Sequence, residues 1–210
     1  MAITISRLYN SHAEARDAVR ALEGAGVSHG DISIIASNAD NWYDNNGKVD
    51  TFPDRDLDGR DDRAEAAGAG AGIGATVGGA AGLLAGLGLM AIPGVGPVVA
   101  AGWLVSTLAG AAAGGATGSV IGALTQAGVK DDEAEVYAEG LRRGGAVVSA
   151  RVPDADAARL QALMDRSSVR LADRSAAYRK SGWTRFDPRS KPYTAEQVRK
   201  ERELYRRSAA

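Results

Sequence analysis

Residues 70–86 read GAGIGATVGGAAGLLAG, a stretch that places a glycine at every fourth position. Residues 102–122, GWLVSTLAGAAAGGATGSVIG, repeat the spacing with one serine among the glycines. Residues four apart lie nearly above one another on an α-helix, so each stretch predicts a helix with a flat stripe free of large side chains. The stripe positions are Gly70, Gly74, Gly78, Gly82, Gly86, Gly102, Ser106, Gly110, Gly114, Gly118 and Gly122.

Flat stripes of this kind allow helix backbones to approach each other closely. Each glycine inside a helix costs about 1 kcal/mol of helix propensity relative to alanine, so isolated helices of this composition are unstable in water. Close packing between helices must offset that cost. We therefore predict that residues 66–129 form a glycine-zipper helical hairpin through which the chain forms homo-oligomers. A flexible Ala/Gly linker is the alternative, but it does not explain a period of four held through both stretches.

The predicted turn of the hairpin is IPGVGP at residues 92–97, and the larger apolar residues lie near it. Residues 66–129 contain no Asp, Glu, Lys or Arg. This pattern favours an apolar tip that enters a lipid membrane. The alternative is a soluble scaffold (a filament, ring or shell) in which many tips bury one another. The tip residues are Leu84, Leu87, Leu89, Met90, Ile92, Val98, Val99, Trp103 and Leu104.

A polar, Asp-rich loop at residues 38–65 precedes the hairpin. Its second half matches the calcium-loop pattern D-x-[DN]-x-[DN]-G-x5-E, which places hard oxygen ligands around a tight turn. Asp61 departs from the pattern, because such loops usually carry a β-branched apolar residue there. The loop is either a calcium site that orders the entry to the hairpin or an acidic spacer that caps the first zipper helix. The candidate ligands are Asp54, Asp56, Asp58, Arg60 through its carbonyl, Asp62 and Glu65.

The chain on either side of this insertion predicts a small α+β domain formed by residues 1–37 and 146–173. The first part gives a strand at 2–8, a helix that begins with a capping box of Ser11 and Glu14, and a strand at 31–37. The second part gives a strand at 146–152, a helix after Pro153 and a short strand at 169–172. This β-α-β, β-α-β order is ferredoxin-like, with the second and third strands adjacent.

Two further segments complete the predicted organisation. Residues 130–145 predict a connecting helix, with a capping box at Asp132 and Glu135. Residues 174–210 predict a basic tail of net charge +7 against about −8 for the rest of the chain, ending in a helix capped by Thr194 and Gln197. This tail is interpreted as an arm that docks on acidic residues of its own chain, on a neighbouring protomer or on anionic lipid. A solvated, partly disordered tail is the alternative.

Composition excludes several classes of function. The net charge of −1 does not indicate nucleic acid as a partner. The chain has no cysteine and only two histidines, His12 and His29, so it offers no thiolate chemistry and no histidine-rich metal site. Residues 1–11, MAITISRLYNS, lack a basic region followed by an apolar core, so we expect no secretory signal. We expect a cytoplasmic, non-enzymatic protein, associated with the inner membrane if the tip enters lipid; a metal-dependent enzyme that uses the acidic loop is the less favoured alternative.

The order of these segments resembles a known bacterial family. The sequence SRLYNSHAEARDAVRALEGAGVSHGDISIIASN, the Asp-rich loop, GAGIGATVGGAAGLLAGLGLMAIPGVGPVVAAG and the closing AVVSARV are similar to the general stress protein 17M-like (YflT-type) domain. The resemblance covers about residues 1–175. It implies a stress-associated, non-catalytic protein, also described in this family as heat- or low-temperature-induced. It implies no active-site residue and no small-molecule substrate.

Overall fold

The structure, a computed structural model, describes residues 1–43, 88–105, 107–108 and 120–208. These residues form one five-stranded antiparallel sheet and six α-helices, so the prediction of a mixed α and β domain is confirmed. The strands are β1 Ala2–Tyr9, β2 Ile32–Ser37, β3 Gly88–Ile92, β4 Gly96–Gly102 and β5 Ala146–Pro153. The helices are α1 His12–Gly24, α2 Val120–Gln126, α3 Asp131–Arg142, α4 Asp154–Asp165, α5 Leu171–Lys180 and α6 Ala195–Ser208.

The spatial order of the strands is β1-β5-β2-β4-β3, with every neighbouring pair antiparallel. Strand β5 is therefore paired on both sides: Ser149 lies opposite Ser6 of β1 and opposite Ser33 of β2. The hydroxyl groups of Ser6 and Ser149 are 2.8 Å apart and hydrogen-bonded, which satisfies two polar side chains inside the sheet. β2 and β5 are adjacent, as the sequence predicts for the second and third strands of the domain.

Helices cover both faces of the sheet because its strands alternate apolar side chains between the two sides. On the first face, α1 contributes Val19 and Leu22, and α4 contributes Leu160, to a core that contains Ile34 and Val148 of the sheet. On the second face, α2 and α3 pack against Leu8, Ile35 and Val147, and Phe186 from the C-terminal region closes the same core. The result is a three-layer arrangement with the sheet in the middle.

The two capping boxes assigned at Ser11 and Thr194 are confirmed. The Ser11 hydroxyl accepts a hydrogen bond from the Glu14 N–H (3.3 Å), and the Glu14 carboxylate accepts one from Asn10 N–H (2.9 Å). At the start of α6 the Gln197 N–H donates to the Thr194 hydroxyl and the Thr194 N–H donates to the Gln197 amide. The third capping box, at Asp132 and Glu135, is wrong, because α3 already begins at Asp131 after Lys130, which makes no side-chain cap.

The helical hairpin predicted for residues 66–129 is wrong over residues 88–102, which form the β-hairpin of β3 and β4. Two glycines with positive φ, Gly94 and Gly96, form the turn together with Pro93, so the turn was assigned to the correct residues but joins strands instead of helices. The apolar run on each side is short, and short apolar runs do not distinguish a strand from a helix. The sheet selects the strand, because β4 pairs with β2 along five residues.

Backbone geometry, not a helical stripe, accounts for the glycine at position 102. It ends β4 with φ of +92°, and a Cβ at this position would lie 2.2 Å from the carbonyl oxygen of Ile32. Only glycine accommodates both conditions. Gly122 lies in α2 and is exposed; the other nine predicted stripe positions lie outside the described residues.

The predicted membrane tip is also revised. Ile92, Val98, Val99 and Leu104 are buried within the domain, Met90 and Trp103 are half-buried, and Leu89 is exposed. Leu84 and Leu87 lie outside the described residues. In the part of the chain that the structure describes, no helix combines the length and the apolarity needed to cross a membrane.

The short strand predicted at residues 169–172 is wrong. Val169 makes a single antiparallel bridge to Leu8 of β1, with its N–H donating to the Leu8 carbonyl oxygen at 2.7 Å. The chain then enters α5 at Leu171. The sequence LADRSAAYRK consists mainly of residues with good helix propensity, which explains why the extended conformation ends after one residue.

Replacing Gly102 with alanine tests the role assigned to this glycine. We expect Gly102→Ala to destabilise the protein by about 2 kcal/mol or more, because the new methyl group meets the Ile32 backbone and the residue keeps a left-handed conformation. Gly88→Ala, at the start of β3, is the matched control, because its Cβ would meet only the Ala100 carbonyl oxygen, at 3.9 Å. Urea unfolding measures both, and equal stability of the two variants would contradict this role.

Candidate functional site: the charged cluster beneath the C-terminal arm

The C-terminal arm, residues 181–208, folds back onto the domain. Trp183, Phe186 and Val198 are buried, and Phe186 belongs to the core on the second face of the sheet. The arm approaches two glycines of the β3–β4 turn so closely that a Cβ at Gly94 would lie 2.6 Å from Pro188. The arm is therefore an integral part of the fold, in agreement with the interpretation that it docks on its own chain.

A buried ion-pair network fixes the arm to α3. The carboxylate of Glu139 has no exposure to solvent and accepts hydrogen bonds from the guanidinium groups of Arg142 (2.8 and 2.6 Å) and Arg143. Arg143 also donates to Glu201 of α6 at 2.8 Å and to the hydroxyl of Ser181 at 3.3 Å. Its guanidinium carbon lies 4.3 Å from the centre of the Tyr178 ring, a cation–π contact. One arginine thus joins α3, α5 and α6.

Two further arginines extend the network across the end of the sheet. Arg202 of α6 forms an ion pair with Asp40, after β2, and donates to the Gly144 carbonyl oxygen at 2.8 Å. Arg174 of α5 donates to the side chain of Asn10, after β1, and stacks on Tyr205 with 3.4 Å between its guanidinium carbon and the ring centre. The arm is consequently tied to the end of β2 by a charge-assisted ion pair, and to the end of β1 indirectly, through Arg174 of α5.

Close packing at Gly144 completes the docking of α6. Val198 is fully buried against this glycine, and a Cβ at position 144 would lie 2.2 Å from the Val198 side chain. Gly144 also has φ of +95°, a conformation that other residues rarely adopt.

His12 lies at the edge of this cluster, where it stacks on Trp42 with 3.8 Å between the ring centres. Burial lowers the pKa of His12 to about 4; the positive charge of Arg16 and, more weakly, that of Arg202 act in the same direction, and the negative charge of Asp40 opposes them. The imidazole is therefore neutral at pH 7. Its Nε2 atom is buried and has no hydrogen-bond partner among the described residues.

The ionisable groups of the cluster are poorly suited to proton transfer near pH 7. Burial raises the pKa of Tyr178 well above its usual range and that of Tyr205 to about 12. Burial alone would lower the pKa of Arg143, but the hydrogen bond to Glu139 and the charges of Glu139 and Glu201 raise it overall. Each of these shifts, like that of His12, moves the pKa of the group further from pH 7. A general acid or base needs a pKa near the working pH.

Two cavities lie at or near the site. The space enclosed by Arg143, Arg174 and Arg202 measures about 10 Å³, which is room for about one water molecule. A wider groove of about 450 Å³ lies between α3, the end of α4 and β1. There Arg7 is paired with Asp165, and the Tyr137 hydroxyl donates to the Ser6 carbonyl oxygen at 2.8 Å, so these polar groups are already used within the fold.

None of the residues predicted as ligands or stripe positions belongs to this cluster. The six candidate calcium ligands lie outside the described residues, so calcium binding stays a prediction. Within the described ranges, no group of three or more His, Asp or Glu side chains is placed to hold a metal ion. Sequence reasoning missed Glu139 and Arg143, although their spacing of four residues on a predicted helix is the signal of an ion pair.

No protein-family model matches the chain, and neither the curated proteins nor the solved structures contain a match.

Replacing Arg143 with alanine should release the arm from the domain. The change leaves the Glu139 carboxylate buried with only Arg142 as a partner and removes the bond to Glu201, and breaking a buried ion pair costs about 3–5 kcal/mol. The control is Arg159→Ala, which breaks an exposed pair with Asp156 and should cost less than about 1 kcal/mol. Thermal unfolding measures the loss, and limited proteolysis detects the freed arm; a difference of less than 1 kcal/mol between the variants would contradict the network's role.

The lowered pKa of His12 makes stability depend on pH. Below pH 6.5 the unfolded chain takes up a proton that the folded chain resists until about pH 4, so stability falls as the pH drops through this window. We expect a loss of between about 1 and 3 kcal/mol from this residue. His12→Phe keeps a ring against Trp42 and cannot bind a proton, so its stability should fall less between pH 7 and pH 4.5. Identical pH profiles for the two proteins, measured by urea unfolding, would rule out this contribution.

Proposed function

We propose that this protein is a non-enzymatic structural protein that assembles with copies of itself through its glycine-zipper segments. The observation that supports this most directly is where the two segments join the sheet. The first segment leads into Gly88, which lies opposite Ala100 in the β3–β4 ladder, and the second begins at Gly102, two residues further on. The two segments therefore join the sheet side by side on neighbouring strands, which favours a zipper hairpin within each chain as the unit that assembles.

The charged cluster supports a structural role over a catalytic one. Its arginines hold the C-terminal arm in place, and its titratable side chains with shifted pKa values lie far from neutrality. A rigid domain of this kind is suited to presenting an assembly segment. The proposed role in stress response comes from the resemblance to the general stress protein 17M-like family alone.

We propose two alternative forms of this assembly, a hairpin associated with a membrane and a soluble scaffold. Four of the residues assigned to the tip are buried in the domain's own core, so neither form uses these four as an exposed tip. Separation of native cells into membrane and soluble fractions, followed by sizing of the protein, distinguishes the two. Large particles in the soluble fraction support the scaffold, and recovery with the membrane fraction supports the hairpin in lipid.

We also propose that β1, β2, β5, α1 and α4 correspond to a ferredoxin-like core with the glycine-rich region inserted between its second and third strands. This is supported by the position of β5 between β1 and β2, by the shared face of α1 and α4, and by the bridge of Val169 to the outer side of β1.

Substitution on the predicted stripes tests the assembly. Gly78→Leu and Gly114→Leu place a large side chain where backbones are proposed to touch, although leucine has the better helix propensity by several tenths of a kcal/mol. Overpacking costs about 1–3 kcal/mol at each site and recurs in every protomer, so both variants should lose oligomers or precipitate. Leucine at the off-stripe positions Ala80 and Ala112 should do less harm. Assemblies of native size from both glycine variants, measured by light scattering, would refute the zipper.

A further inference from the structure

The two edges of the sheet differ in how they are protected. On the outer side of β1, the Leu8 carbonyl oxygen accepts a hydrogen bond from Val169, and the Ser6 carbonyl oxygen accepts from Tyr137 and from the Arg7 guanidinium. On the outer side of β3, no described residue pairs with the strand. An unpaired edge strand is a template for another strand unless charge, proline or a covering element blocks it.

The direction of the backbone groups in β3 follows from the ladder. Asn38 N–H donates to the carbonyl oxygen of Pro97 at 2.8 Å, so the backbone of Pro97 faces β2. In an antiparallel ladder the polar groups of successive residues point to alternate sides of the strand. Val98 and Ala100 therefore face β3.

The partners of these two residues in β3 are Met90 and Gly88, which accordingly use their polar groups within the hairpin. Leu89 and Ala91 are the residues on either side of Met90 in the strand. Because the direction alternates along the strand, their N–H and C=O groups point away from the sheet. They present two donors and two acceptors in a row.

The side chains of β3 leave this row accessible. The strand GLMAI contains no charged residue and no proline. Leu89 and Ala91 are exposed, and Leu89, at 40%, is one of three large apolar side chains in the described residues with this degree of exposure, together with Met1 and Leu204. The edge thus lacks the charges that usually prevent strand pairing.

We propose that two copies of this chain pair edge to edge through β3, with a two-fold axis at Met90. In this register Leu89 of each copy lies opposite Ala91 of the other, and their outward groups form four hydrogen bonds that join the two sheets. A second copy of the chain is the partner that fits this edge. Under a two-fold rotation, the N–H and C=O groups of Leu89 in one copy meet the C=O and N–H groups of Ala91 in the other. Pairing of β3 with β1 of a neighbour is disfavoured, because the β1 edge is already occupied by Val169, Tyr137 and Arg7.

The inference rests on the proposed self-association but assigns it to a surface formed wholly by described residues. A five-residue strand pair is smaller than a stable interface of about 1,200 Å², so it adds to an assembly held by further contacts. The two contacts are separable by experiment because they use different residues.

Single cysteines test the register, since the chain contains none of its own. The two-fold axis places Met90 opposite its copy at a Cα separation of about 4.5 Å, within the range of a disulfide. Met90→Cys should therefore form a covalent dimer under mild oxidation of the full chain. Gly88→Cys is the control: the two copies of residue 88 are four residues out of register, about 13 Å apart, so it should crosslink far less. Equal crosslinking at both positions, or none at position 90, overturns the proposal.

A charge on the edge tests its contribution to assembly. Leu89→Lys should weaken association at least about tenfold by sedimentation velocity, because the two ammonium groups become diagonal neighbours on the same face of the joined sheets. Leu204→Lys makes the same change at an exposed position of α6 and should leave association unchanged. Equal association of the two variants would overturn the pairing. If Gly78→Leu and Gly114→Leu assemble normally while Met90→Cys crosslinks, the zipper fails and the edge pairing stands; the reverse pattern refutes the edge pairing alone.

Discussion

The carboxylate of Glu139 lies on the inner side of α3 without contact with solvent, and its charge is balanced by Arg142 and Arg143. A buried charge is tolerated only where opposite charges and hydrogen bonds surround it. The guanidinium group of Arg143 is also buried, and Glu139 satisfies only part of its hydrogen-bonding capacity. Its remaining N–H groups donate to Ser181 and Glu201 of the arm. The position of the arm follows from this pairing, and with it the burial of Phe186 and the closure of the core on the second face of the sheet.

The elements that sequence reasoning predicted correctly are those with a local signal. Ser11 with Glu14 marks the start of α1, and alternating apolar residues mark β1 and β5. The β3–β4 hairpin was not predicted, because a glycine at position 102 fits a four-residue helical period by coincidence. Its actual requirement, the approach of the Ile32 carbonyl oxygen, is a contact between residues 70 positions apart and has no local signature.

The candidate site shows the same division. Glu139 and Arg143 have helical ion-pair spacing in the sequence, but their burial depends on α6 and could not be read from α3 alone. The aromatic residues Tyr178, Trp183 and Phe186 are scattered among charged ones without a period, so the sequence did not predict their burial. They are buried because each packs on a different partner: Trp183 against Tyr178 with 5.8 Å between ring centres, and Phe186 near the β3–β4 turn. The charge of the arm predicted its docking; the aromatic residues determine where it docks.

The central place of β5 has a consequence for how the chain folds as it is synthesised. β1 and β2 do not pair with each other; both pair with a strand that leaves the ribosome more than 100 residues after β2. Contacts of such long sequence separation are entropically costly to close and make folding slow. Until residues 146–153 emerge, β1 and β2 each lack the partner they share, and the uncharged glycine-rich region is synthesised during that interval. Growing chains on one polysome are therefore exposed to each other in this state, and the arm, which is synthesised last, seals the domain only after the sheet has formed.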